Sequence, residues 1–183
     1  MNRMDRQDGE AARGARRELL LLAADFVNSA REVPGVRWIS LIGSLATEKA
    51  DPKDIDFLVC VSEDVELPRL ARLSRRVQGR AQSQGRGADV FLCDEALVYL
   101  GRTCPWKNCG PRFRASCDAR SCGVRPYLHD DLDDVRLNVP RVREREIVLW
   151  PASRSEVHVP ADVSELLWSR VLPGGMGPTG PTG

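Results

Sequence analysis

No stretch of this sequence holds the roughly 20 consecutive apolar residues that a bilayer-spanning helix needs, so no membrane span is expected. The N-terminus, MNRMDRQDGEAARGARRE, lacks the apolar core of a secretory signal. A cytoplasmic location is therefore expected. A disulfide framework is not expected on the same ground, because a reducing compartment keeps the six cysteines as thiols. No internal repeat is present, so a repeat array is excluded. Net charge is nearly absent at +1, and the overall balance points to no class of partner. Lysine is scarce: of 27 basic residues only Lys49, Lys53 and Lys107 are lysines.

What is present is enough for one domain with a real core. Apolar residues make up 42% of the 183 positions and charged residues 29%. The arginines cluster. Six lie between Arg69 and Arg86 with no acid among them, and residues 102–125 hold six basic residues against Asp118 alone. Guanidinium forks fit phosphate oxygens, so these segments suit phosphate-bearing ligands; arginines on a solvated face explain them equally well.

The apolar pattern predicts a helix over 10–31, with Leu19, Leu22, Phe26 and Ala30 at helical spacing, stopped by Pro34-Gly35. Strands are predicted over 36–42, 55–61, 88–93 and 146–150, and the second is apolar enough to be central. Pro68 opens a helix reaching about Gln84, and a short helix runs over 162–171. Residues 95–100 fit no single pattern. Residues 1–9 are expected to be flexible, residues 101–125 to form an irregular insert within a domain spanning 10–172, and residues 173–183 to be disordered. The fold class is α+β, a mixed sheet flanked by helices.

The stretch LIGSLATEKADPKDIDFLVC carries the chemistry. Asp54 and Asp56 are spaced i, i+2 and so share one face of a strand. Paired carboxylates repel unless a cation lies between them, and a hard divalent ion takes such oxygen ligands. Asp89 begins the strand ADVFLC, and a neighbouring strand brings it beside the pair. Three acids on two strands suit one or two Mg²⁺ ions, which can hold both oxygens of an in-line phosphoryl displacement. Gly43 lets the backbone approach a ligand closely, and Ser44 adds donors for triphosphate oxygens. Taken singly, Gly-Ser is a common turn and Asp-x-Asp is common on loops. The ordered combination is far more specific.

That order, GSLATEKADPKDIDFLV followed by ADVFLC, resembles the nucleotidyltransferase superfamily of polymerase-β-like fold, and most closely its minimal bacterial type. The resemblance covers residues 36–94 and extends to REREIVLWP. It implies transfer of a nucleoside monophosphate from an NTP to a hydroxyl, with Mg²⁺ or Mn²⁺. It implies that Asp54 and Asp56 ligate the metals, that Asp89 ligates the catalytic metal and helps deprotonate the acceptor, and that Gly43 and Ser44 hold the triphosphate. The acceptor class is a protein, an RNA or a small molecule, and such proteins often belong to toxin–antitoxin pairs. The chain departs from many relatives at Glu48, where they carry a second glycine, and at Lys53, where they carry serine. Lys53 either contacts phosphate or is solvated. A non-catalytic nucleotide- or RNA-binding module is the competing reading.

Cys104, Cys109, Cys117 and Cys122 are spaced x4, x7, x4, and the first and last pairs each end in Cys-Gly. Four thiolates satisfy tetrahedral zinc, and a metal would order a segment poor in large apolar residues. Buried free thiols, disulfides formed on isolation, a redox role, and His129 as a substitute ligand remain open beside a structural Zn²⁺. Trp106 and Phe113 either pack around this knuckle or touch an acceptor such as RNA. Cys60 and Cys93, in strands, are expected as small buried apolar residues.

Overall fold

The computed structural model describes residues 3–109, 125–129, 137–151 and 157–171. Of the sequence expectations, those on Phe113, Cys117, Cys122 and the tail 173–183 lie outside these residues.

The chain alternates helix and strand at first. Helix α1 (Arg3–Ala30) leads to β1 (Val36–Ile42), β2 (Asp54–Val61), α2 (Leu67–Gln82) and β3 (Gly87–Cys93). There follow β4 (Tyr99–Thr103), β5 (Leu128–His129), the short α3 (Val139–Arg143), β6 (Ile147–Trp150) and a helical segment over 161–171. The last has a π-helical stretch, Ser164–Trp168. Together they form a mixed α+β architecture around one six-stranded sheet in the order β5-β4-β3-β2-β1-β6. Only β2 and β3 run parallel; the other neighbours are antiparallel. The parallel pair needs a crossover, and α2 supplies it.

One face of the sheet carries the main core. Ile55, Phe57, Val59 and Val61 from β2 meet Leu19, Ala23, Phe26 and Val27 from α1 and Leu70 and Val77 from α2. Phe26 and Phe57 stack with centroids 4.4 Å apart. The period-2 pleat sends the alternate residues to the other face. There Ile42, Leu58, Cys60, Cys93 and Val139 form a second, smaller core beneath α3. The expectation for Cys60 and Cys93 holds: both are buried, opposite each other across β2 and β3.

Two expectations need correction. The first helix begins at Arg3, not at 10, because residues 3–9 continue it with largely polar helix formers that give no apolar period to read. The segment 101–125 is not irregular throughout: residues 101–103 complete β4, which binds the free edge of β3. The ambiguous 95–100 stretch resolves into a turn followed by the start of that strand. No helix among the described residues is long and apolar enough to cross a membrane.

Candidate active site

The parallel register of β2 and β3 assembles the acids. Asp54 pairs with Gly87, and Asp56 pairs with Asp89. Because residues alternate faces, all three carboxylates leave the sheet on the side of the smaller core, at the N-terminal ends of the two strands. The apolar floor of Leu58, Cys60 and Cys93 lies further along the same face.

Two glycines leave room for these carboxylates. Gly43 follows Ile42, the β1 partner of Asp56, and takes a positive φ of 70°. A side chain there would run into Asp56 Oδ2, and one on Gly87 would run into Asp54 Oδ1. Ser44 opens a single 3-10 turn, and its carbonyl accepts from Thr47 N at 3.2 Å and Thr47 Oγ1 at 2.8 Å. The Ser44 hydroxyl makes no hydrogen bond among the described residues, so it stays available as a donor beside Asp56.

The three carboxylates are held in different ways. Asp89 Oδ1 accepts from Arg102 Nη1 at 3.0 Å. Asp54 is exposed. Asp56 is half-buried and forms no ion pair among the described residues. Burial first, then the charges of Asp89 and Asp54, push its carboxyl up to about 6. The donor chemistry, oxygen only and without a cationic partner at Asp56, fits a hard divalent ion. Among the described residues, however, no three His, Cys, Asp or Glu side chains already converge on one metal position. Asp89 is instead paired with Arg102.

Lys53 lies next to the acids but points elsewhere. Its ammonium pairs with Asp51 at 2.5 Å, and Arg86 reaches Asp51 at 2.6 Å. Lys53 first and Arg86 second hold the Asp51 carboxyl below the usual carboxylate range. Arg86 also donates to the Pro52 carbonyl at 2.8 Å, and Gly87 N donates to the Lys53 carbonyl at 2.9 Å. These bonds staple the loop ahead of β2 to the turn ahead of β3.

Gly87, Arg86 and Arg102 were not legible as site residues. The first two read as an ordinary turn, and Arg102 fell in a segment with no periodicity. An unaccompanied arginine within a short apolar strand was the available signal for Arg102.

Of the four insert cysteines, Cys104 and Cys109 are described. Cys104 is buried and its N–H donates to the Tyr127 carbonyl at 2.7 Å. Tyr127 N donates in turn to Cys109 Sγ at 3.3 Å. His129 lies on β5 opposite Arg102. Trp106 is 55% exposed. No family model matches the chain, and no curated protein or solved structure matches it.

Proposed function

We propose that Asp54, Asp56 and Asp89 form the metal site of a nucleotidyltransferase, with Gly43 and Ser44 as its phosphate-holding turn. The observation that carries this reading is the β2–β3 register, which sets Asp89 opposite Asp56, two residues from Asp54. The polymerase-β-like fold belongs to the same proposal, supported by the helix-flanked mixed sheet.

Bound there, Mg²⁺ or Mn²⁺ would offset phosphate charge during an in-line displacement. Asp54 and Asp56 would hold the ion, with Asp89 beside them. Ser44 and the backbone N–H groups of its turn orient the triphosphate. Asp89, once free of Arg102, takes the proton of the acceptor hydroxyl. The hydroxyl oxygen bonds to the α-phosphorus, the bond to the pyrophosphate oxygen breaks, and pyrophosphate leaves. The acceptor is a protein, an RNA or a small molecule.

The test is incubation with each α-phosphate-labelled NTP and Mg²⁺, with and without cell extract. Label should appear on an acceptor and vanish in Asp54→Ala/Asp56→Ala. The Arg102–Asp89 pair favours a second reading, a nucleotide clamp in which Asp89 is structural. Saturable NTP binding with no label on any acceptor would select the clamp. For the insert we propose a structural zinc, supported by the Tyr127 N–H aimed at Cys109 Sγ, a donor that stabilises a thiolate. Elemental analysis of the purified protein should find close to one equivalent; a zinc-free, folded protein rejects it.

A further inference from the structure

Helix α2 bears four exposed arginines on one side, Arg69, Arg72, Arg76 and Arg80, spaced i, i+3, i+7, i+11. At 1.5 Å per residue the row is about 16 Å long, and Arg72 and Arg76 are about 6 Å apart along the axis, close to the step between successive phosphates of a nucleic acid strand. Acids answer only its ends. Arg80 pairs with Asp25 at 2.7 Å, and Arg69 lies 3.9 Å from Glu66. Arg72 and Arg76 make no ion pair or hydrogen bond among the described residues.

Two features that suit bases adjoin this row. Arg75, on the same helix, donates to the Cys104 carbonyl at 3.2 Å and lies over the Tyr127 ring at 5.9 Å. That bond holds the Cys104 segment against α2, and Trp106, 55% exposed, follows two residues later. On the other flank a groove of about 310 Å³ runs between α1 and α2. Leu22, Phe26 and Leu73 line it together with the polar Asp25, Asn28 and Ser29, and Arg76 and Arg80 stand at its side.

We infer that this surface binds a single-stranded nucleic acid, with Arg72 and Arg76 on successive phosphates and a base stacked on Trp106. Arginines that track a backbone beside a stacking aromatic are the combination single-strand binders use. An acidic peptide would satisfy the arginines and leave the indole bare. The surface belongs to the helical side of the sheet and does not depend on the acid site. Binding and transfer can therefore fail separately.

The test is fluorescence anisotropy of a labelled oligoribonucleotide about 10 nucleotides long, titrated with the full chain at low salt. Trp106→Ala should weaken binding about tenfold or more and abolish the quenching of tryptophan emission by RNA. Arg72→Gln/Arg76→Gln should weaken binding and flatten the log–log salt slope by about 1.4, about 0.7 for each phosphate contact. Asp54→Asn/Asp56→Asn should bind RNA as the wild type does. All substituted positions outside the acid site are exposed, so circular dichroism should be unchanged. Absence of binding at low salt overturns the inference. So does binding that Trp106→Ala leaves intact, or polyglutamate bound as tightly as RNA.

Discussion

At the scale of single residues, Asp56 is the most informative side chain. Its carboxyl is pushed up to about 6 from an ordinary 3.8, so the fold favours its neutral form. The penalty is absent below about pH 4, grows between about pH 4 and 6, and levels off above 6 at no more than about 3 kcal/mol. Without divalent metal, Asp56→Asn should therefore melt several degrees higher than wild type near pH 8 and no higher near pH 4. Scanning calorimetry at both pH values decides it. Under the proposed function, Mg²⁺ should raise the wild-type melting temperature near pH 8 and fail to raise that of Asp56→Asn. Gly43→Ala forces a side chain into a positive φ and into the Asp56 carboxylate, at a cost of about 1–3 kcal/mol in denaturant unfolding. Arg102→Gln should strengthen Mg²⁺-dependent nucleotide binding if Asp89 is freed to act. Unchanged or weaker binding by calorimetric titration would leave the arginine in a structural role. The two aspartates on β2 were legible because i, i+2 spacing fixes their common face. The guanidinium on Asp89 was not, because it arrives from β4, whose pairing no local pattern announces.

At the scale of elements, periodicity was readable wherever an element had a long buried face. Helix α2 buries Leu67, Leu70, Ala71, Val77 and Ala81, and the strand β2 is apolar on both faces beyond its acidic start. The misses were short or interrupted. Strand β4 is five residues with Gly101 at φ 122° and Arg102 in its middle, so alternation is lost. It exists because β3 would otherwise present an unpaired edge. Helix α3 is five residues around Pro140, shorter than two turns, and Asn138 caps it by accepting from Arg141 N at 3.2 Å. The helices also retain slack. Gly14 and Gly79 lie within α1 and α2, and a methyl group added at either meets nothing within 4 Å. Gly79→Ala should stabilise the protein by about 0.5–1 kcal/mol in urea unfolding, since it removes backbone freedom from the unfolded chain without a clash.

At the scale of the molecule, Arg16 joins parts that are far apart in sequence. From α1 it donates to both carboxylate oxygens of Asp162, at 2.5 and 3.0 Å, and to the Lys49 carbonyl at 2.9 Å. The C-terminal helical segment and the loop leading to the acids therefore share one buried guanidinium, whose side chain is 6% exposed. Arg16 first of all holds the Asp162 carboxyl below its usual range. That contribution is present at neutral pH and is lost as pH falls through the lowered value. Arg16→Ala should cost about 2–4 kcal/mol, and Asp162→Ala in the Arg16→Ala background should cost little more. A double-mutant cycle in denaturant measures this, and full additivity would reject the coupling. Composition, hydrophobic period and the Gly-Ser and Asp-x-Asp spacings by themselves determined a mixed α+β chain, its long helices, four of its strands and the pair of acids. These are local properties, set by which faces of an element avoid water. Tertiary structure alone decided that Asp89 stands opposite Asp56, that Arg102 pairs with it, that Gly87 makes room for Asp54, and that Arg75 ties the Cys104 segment to α2. Each depends on register or on a contact between elements distant in sequence, which no period within one element encodes.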